Sequence, residues 1–506
     1  MKKTLLLLLA MLLATSISLI SCGDDSTSNP DGTNNNTPAC THAYGEWVVE
    51  VEATRSEDGT KYRVCGLCSE KEYETLYATG TPGINYTVNA DGKTCTVKRT
   101  TTLSDKELII PKYIDGYEVV AIEKGAFNYL PFTSVVICDG LTSIGASAFS
   151  GCSSLASVTI PESVTDIGEN AFSSCRSLTS VTIPGSVVNI DASAFYQCSG
   201  LSSVTISNGV KSISQKAFYG CTALTSVKLP DSLEVIGDSV FSQCTALTSI
   251  TIPDNVETVG NSAFEYCSSL KNVTIGNGLK YMGNSVFYNC KEIVYNEYEG
   301  CNYLGNESNP YLLLCSASDN SRKAFVTHKD TRIIRYSAFS NNYNIEGIEI
   351  SDSVINIGAS AFKGCSYLKS MKVSKNVIYI GSGAFAQCQR LSAIEVDEKN
   401  ENYKSVNGTL YTKDGKTLMQ FCWGNSEKDV QVLAGVTKID SYAFRGCEIT
   451  SITIPDTLTE IGNDAFFCCY NLSNVYYAGS EEMWQKISIG SLNESLTGAT
   501  IHYDTK

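Results

Sequence analysis

The sequence predicts a repeat solenoid of parallel β coils, about 23 residues to the turn, preceded by a small β module. Three observations carry this expectation. Phenylalanine recurs at Phe127, Phe149, Phe172, Phe195, Phe218, Phe241, Phe264 and Phe287, resumes at Phe339, Phe362 and Phe385, and closes at Phe444 and Phe466. Cysteine keeps the same beat from Cys152 through Cys175, Cys198, Cys221, Cys244 and Cys267 to Cys290. Between these marks runs the unit Leu178-Thr-Ser-Val-Thr-Ile-Pro184, whose Val181 and Ile183 fall on one face of a strand. A residue type locked to one position of a coil answers a packing need, so the thirteen phenylalanine-marked turns read as scaffold.

Within one coil, Pro184 ends the strand, Val187 and Ile190 supply a second apolar ridge, and a short helical or 3₁₀ turn around Ala194-Phe195 closes at Cys198. No coil can bury these residues alone. Neighbours must stack, with their strands in one continuous parallel sheet. The 21 cysteines of an exported chain would ordinarily imply a disulfide framework. Their fixed place in the coil instead reads as small, buried, free thiols.

Taken in order, residues 1–21 have a cationic start at Lys2-Lys3, an apolar run from Leu5 to Leu13 and a small-residue exit, the pattern of an export signal. Leu19-Ile20-Ser21-Cys22 resembles the bacterial lipobox, which implies acylation of Cys22 and attachment to the membrane by lipid alone. Gly23-Asp24-Asp25 resembles the acidic signal that sends Bacteroides-type lipoproteins to the outer face of the outer membrane; the plainer reading is the start of a solvated linker. Residues 22–38 are polar and suit a flexible tether.

Residues 39–80 form a separate module with Cys40, His42, Trp47 and Cys65-Gly-Leu-Cys68. Cys40 and His42 share one face of an extended strand, and Cys-x-x-Cys presents two sulfurs to one point, so four soft ligands can converge. A structural zinc site, a redox or disulfide pair at Cys65 and Cys68, and a merely packed module are the three readings. Apart from that zinc, no cofactor is expected. Residues 83–107, with Asp91-Gly92 at a turn, read as a hairpin that caps the first open edge of the array.

The coils span residues 108–474, and here the resemblance is specific. From about Leu108 to Cys469 the units resemble the BspA-like (Treponema pallidum-type) leucine-rich repeat family, with its L-T-S-V-T-I-P followed by V-x-x-I-G-x-x-A-F-x-x-C. The resemblance implies a bacterial surface protein associated with adhesion to host matrix proteins or other cells. Two insertions, near 292–309 and 397–431, break the register. They contain Tyr295, Tyr298 and Tyr303, then Tyr411 and Trp423. Insertions in solenoids often carry binding, so these five aromatics are candidate contacts; the alternative is that both segments pack along the flank. Residues 475–506, with Trp484, read as the closing cap.

The formal charge of −15 becomes −17 when the leader takes Lys2 and Lys3 away, which argues against a nucleic-acid partner. Chemistry is sparse. Of the three histidines, His42, His328 and His502, none opens an H-E-x-x-H, and neither a G-x-S-x-G elbow nor a Walker loop occurs. Gly381-Ser-Gly-Ala-Phe-Ala386 imitates a dinucleotide fingerprint but is the repeat's own Ile-Gly-x-x-Ala-Phe. The outward strand residues, Ser180/Thr182, Ser203/Thr205 and their counterparts, form a ladder of short hydroxyls without aromatic or arginine anchors. The expectation is a non-enzymatic, lipid-anchored surface module that recognises an extracellular protein. The alternatives are a carbohydrate-binding surface lipoprotein and a structural envelope protein.

Overall fold

The computed structural model describes residues 42–99, 103 and 105–505. Two compact units result, Met1–Gly80 and Thr81–Lys506.

In the first unit, strands Val48–Val51, Gly59–Val64 and Lys71–Leu76 form an antiparallel sheet. Its register places Lys61 opposite Glu74 and Arg63 opposite Glu72, and both pairs form ion pairs. Lys61 and Arg63 also cover the Trp47 ring, at 4.7 and 4.8 Å from its centroid. Little is buried. Val48, Val49 and Val51 are exposed, and Cys65 and Ala78 are the hydrophobic residues with full burial among those described.

The second unit is a parallel β-solenoid of about 18 coils. Leu-x-x-Val-x-Ile strands pair coil to coil in register, as Val181 with Val204 and Ile183 with Ile206. They fall into several sheets of two to four strands, which corrects the expectation of one continuous sheet there. The long sheet lies on the second ridge. Eleven strands, most of them two residues long, run from Tyr86–Val88 to Tyr281–Met282. Ile144, Ile167, Ile190, Ile213 and Ile236 point inward from it and are buried. Coils also approach closely just after this ridge: a Cβ on Gly237, which follows Ile236, would lie 2.8 Å from the Ile213 carbonyl oxygen.

The Ala-Phe turn is not helical. Ala171 and Ser173 donate their N–H groups within the coil, to Gly168 and Asn170 carbonyls, while Asn170, Phe172 and Ser174 donate to Ala192, Ala194 and Tyr196 of the next coil. Asn170 and Ser174 have left-handed φ of 57° and 60°. Alternation of amide direction stops a helix from propagating, and the coil-to-coil bonds offset the roughly 1–2 kcal/mol cost of each left-handed residue. Among the described residues, α-helix is confined to Glu481–Trp484 and Glu494–Thr497 in the closing cap.

Inside each turn the phenylalanines form a column. Phe149, Phe172, Phe195 and Phe218 stack at 5.2–5.3 Å with interplanar angles of 7°, 6° and 3°. The cysteine beside them is a hydrogen-bond donor as well as a filler: Cys198 Sγ donates to the Phe172 carbonyl of the preceding coil at 3.1 Å, and Cys267 does so to Phe241 at 3.1 Å. The described cysteines are free thiols.

Both interruptions are structured. Asn296–Tyr298, Cys301–Leu304 and Leu313–Ala317 form an antiparallel meander whose last strand pairs parallel with Ile333–Ile334. Tyr403–Val406, Thr409–Thr412 and Thr417–Gln420 repeat the design, the last pairing with Lys438–Ile439. Each meander therefore ends as a rung of the ladder. Phe421, assigned from sequence to the second insertion, stacks on Phe444 at 5.2 Å and belongs to the column. Coils without a marking phenylalanine explain why thirteen undercounts the array. The hydrophobic core divides into three clusters at these meanders.

Candidate functional site

The densest set of reactive side chains lies in the small module. Chain reversal at Cys65-Gly-Leu-Cys68 is closed by the Ser69 amide on the Cys65 carbonyl and the Cys65 amide on the Glu70 carbonyl, both at 2.8 Å. The Leu67 amide donates to Cys65 Sγ at 3.4 Å. His42 Nδ1 sits 3.4 Å from Cys68 Sγ, and one donor atom from each of His42, Cys65 and Cys68 lies within 4.8 Å of the others. The far imidazole nitrogen, Nε2, is 3.4 Å from a Glu70 carboxylate oxygen, and the ring stacks on Tyr44 at 5.3 Å. Burial pushes the Cys65 pKa up, but the amides of Leu67, Cys68 and Ala43 and the His42 imidazole together hold it down to about 6. Three of the four expected ligands thus converge; Cys40, like Cys22, lies outside the described residues.

The five insertion aromatics fare differently from expectation. Tyr303 and Tyr411 are buried, and burial pushes both hydroxyls up, that of Tyr411 to about 12. They are corrected from ligand contacts to core, because each sits on the middle strand of its meander, paired with the strand that joins the ladder, rather than on a loop. Tyr303 accepts the His328 amide through its hydroxyl at 3.3 Å. Tyr295 is half-buried against the first core cluster. Tyr298 is half-buried and meets His328 edge-on at 4.9 Å beside a shallow groove lined by Thr327, Lys329, Glu349 and Ser351. Trp423, also half-buried, lies where a Cβ on Gly446 would come within 2.5 Å of its ring, so that glycine is required for the ring's seat.

Exposed rings gather elsewhere, around the Ala-Phe turns. Tyr266 and Tyr288 meet edge-on at 5.7 Å, Tyr367 lies under the Arg390 guanidinium at 4.2 Å, and the half-buried Tyr196 and Tyr219 stack at 5.1 Å on successive coils. Tyr129 is 77% exposed, Tyr288 53% and Tyr470 85%. They lie within the regular coils, where the period already accounts for most residues. The available signal was tyrosine recurring one or two places after the marking phenylalanine, at 129, 196, 219, 266 and 288. The strand face is as expected: Ser180, Thr182, Ser203, Thr205, Ser249 and Thr251 are exposed.

Six copies of a family profile described as BspA type leucine rich repeat region match residues 120–247, 188–308, 320–407 and 418–496. The chain belongs to the BspA-type leucine-rich repeat family. Solved structures with a likeness to this BspA-type chain include a leucine-rich cell surface protein of Faecalibacterium prausnitzii, 28% identical over 82% of this chain and 97% of that one, TM-score 0.38. A leucine-rich repeat protein of Bacteroides ovatus is 22% identical over 83% and 98%, TM-score 0.31. The leucine-rich repeat protein of T. pallidum is 18% identical over 56% and 88%, TM-score 0.21. No match to a curated protein reaches significance. The family hallmark accounts for the column, the ridge and the thiols, and leaves the tyrosines and the module's ligand set as features of this chain. Among the described residues, no helix is long and apolar enough to cross a membrane.

Proposed function

We propose that this BspA-type protein is an exported, lipid-anchored surface protein, held through Cys22 at the outer face of the outer membrane, that recognises an extracellular protein without chemistry of its own. The observation that carries the reading is the row of exposed tyrosines on a rigid edge, above all Tyr266 and Tyr288, which meet edge-on from successive coils. Tyrosine supplies large contact area at low conformational cost and is enriched among interface anchors. Coil stacking fixes its spacing before any partner arrives. The partner surface is therefore placed on the turn edge, with the hydroxyl face of the strands as spacer.

Deleting either insertion is a poor test, since Tyr303 and Tyr411 would leave with it. The direct test is a binding screen of the soluble mature chain against host matrix proteins, bacterial surface proteins and a glycan array, beside Tyr266→Ala/Tyr288→Ala. Protein ligands that bind the parent and lose at least about tenfold in the variant support the reading, on the scale of a hot spot. Glycan binding alone, unaffected by that variant, would replace it with carbohydrate recognition, for which the groove beside Tyr298 and His328 offers a ring together with polar groups.

A further inference from the structure

The module's size and its ligand geometry point to one conclusion. Three short strands with exposed valines on the first and few buried side chains do not make a self-sufficient core. Units near forty residues are usually held by disulfides, metals or partners. The cross-strand ion pairs Lys61–Glu74 and Arg63–Glu72 are solvent-exposed and contribute little. What remains is the cluster at the Cys65–Cys68 reversal. Ligands bound to zinc at ~2.3 Å (sulfur) and ~2.0 Å (nitrogen) at a tetrahedral angle are about 3.5 Å apart. Cys68 Sγ and His42 Nδ1 are separated by 3.4 Å, so a shared ion fits between them with small adjustment. The Leu67 amide aimed at Cys65 Sγ further favours a thiolate.

We propose that the Cys65–Cys68 reversal holds a structural zinc ion, bound by His42 Nδ1 and the thiolates of Cys65 and Cys68, with Glu70 fixing the imidazole. Glu70 is the positioning residue. Its carboxylate, 3.4 Å from Nε2, favours the proton on that nitrogen, which leaves Nδ1 as the lone-pair nitrogen facing the two sulfurs. Each cysteine that binds gives up its proton to solvent, and the ion's affinity becomes folding free energy for a module that has little other source.

The experiment uses the purified soluble chain, residues 23–506, prepared without chelator. One zinc per chain by elemental analysis is expected, together with thiolate-to-metal charge-transfer and tetrahedral ligand-field bands when cobalt replaces it. Glu70→Gln should keep the stoichiometry at saturation and weaken zinc roughly 10- to 100-fold in competition with a chromogenic chelator. Cys244→Ser, in the solenoid, should leave zinc content unchanged. Absence of zinc with free Cys65 and Cys68 thiols, or a Cys65–Cys68 disulfide seen as the loss of two hydrogens by mass, would overturn the proposal. A cobalt spectrum unaltered in Cys68→Ser would likewise overturn it.

Discussion

The column from Phe127 to Phe287 and the stretch from Phe339 to Phe466 use the same repeat but hold it differently. In the first, each ring between the ends stacks on two others, and one core cluster runs from Ile84 to Ile333. In the second, meanders cut the core in two, and side chains take over the work of rings. Asn400, fully buried, donates to the Ser374 and Val377 carbonyls and accepts from the Asn402 and Tyr403 amides. Arg332 reaches the Asn277 carbonyl and Asn356 the Lys280 carbonyl across the first interruption. Tyr281 meets Tyr379 edge-on at 5.3 Å. Regular coils need only a repeated apolar residue, whereas a break in register exposes backbone groups that only particular polar side chains satisfy.

The largest predicted effect treats both regions alike. Burial pushes the thiols of Cys152, Cys244, Cys365, Cys422 and Cys469 up to about 12. Their folded pKa values lie above the unfolded ones, so the stabilisation is complete below pH ~8.5 and is lost as pH rises toward 12, by about 1.4 kcal/mol per pH unit for each thiol. Urea midpoints should fall steeply between pH 8 and pH 10.5; an unchanged midpoint would contradict the burial of these groups. Next, Phe241→Ala should cost ~3–5 kcal/mol in urea unfolding, because it empties a position stacked on both sides. Phe385→Ala, which loses its stacking on Phe362 alone, should cost less by about 0.5–1.5 kcal/mol. Equal costs would mean that stacking adds nothing to burial.

Asn400→Ala should cost about 1–3 kcal/mol, since it strands buried donors and acceptors at once. Faster amide exchange confined to 397–420 would tie that loss to the meander, and exchange spreading into the first column would count against a regional role. The smallest effect concerns Glu346, bound by Lys369 and Lys323 and held down to about 2. Its folded pKa is depressed, so the contribution is present above the usual carboxylate range near 4.5 and fades as pH falls toward 2. Glu346→Gln should therefore differ from the parent at pH 6 and converge with it near pH 2, with the difference shrinking in high salt.

Much of this was legible in advance. The period, the Ile-Gly ridge and the buried cysteine follow from residues that recur, and recurrence is itself the record of a packing constraint. The convergence of His42, Cys65 and Cys68 was also legible, because Cys-x-x-Cys and an upstream histidine carry their geometry locally. Misread were the turn around Ala194-Phe195, where φ alternation depends on amides from the neighbouring coil, and Tyr303 and Tyr411, whose burial depends on which strand the meander returns to the ladder.

By itself, then, the sequence determined that the chain stacks coils, which residues face inward, and where the stacking breaks. Only the tertiary structure decided that the two-residue ridge builds the long sheet, that each break re-enters the ladder as a rung, and that the exposed rings lie on the turn edge. The reason is physical: a hydrophobic period specifies burial along one coil, while hydrogen-bond partners and exposure are fixed by contacts between coils that no single period encodes.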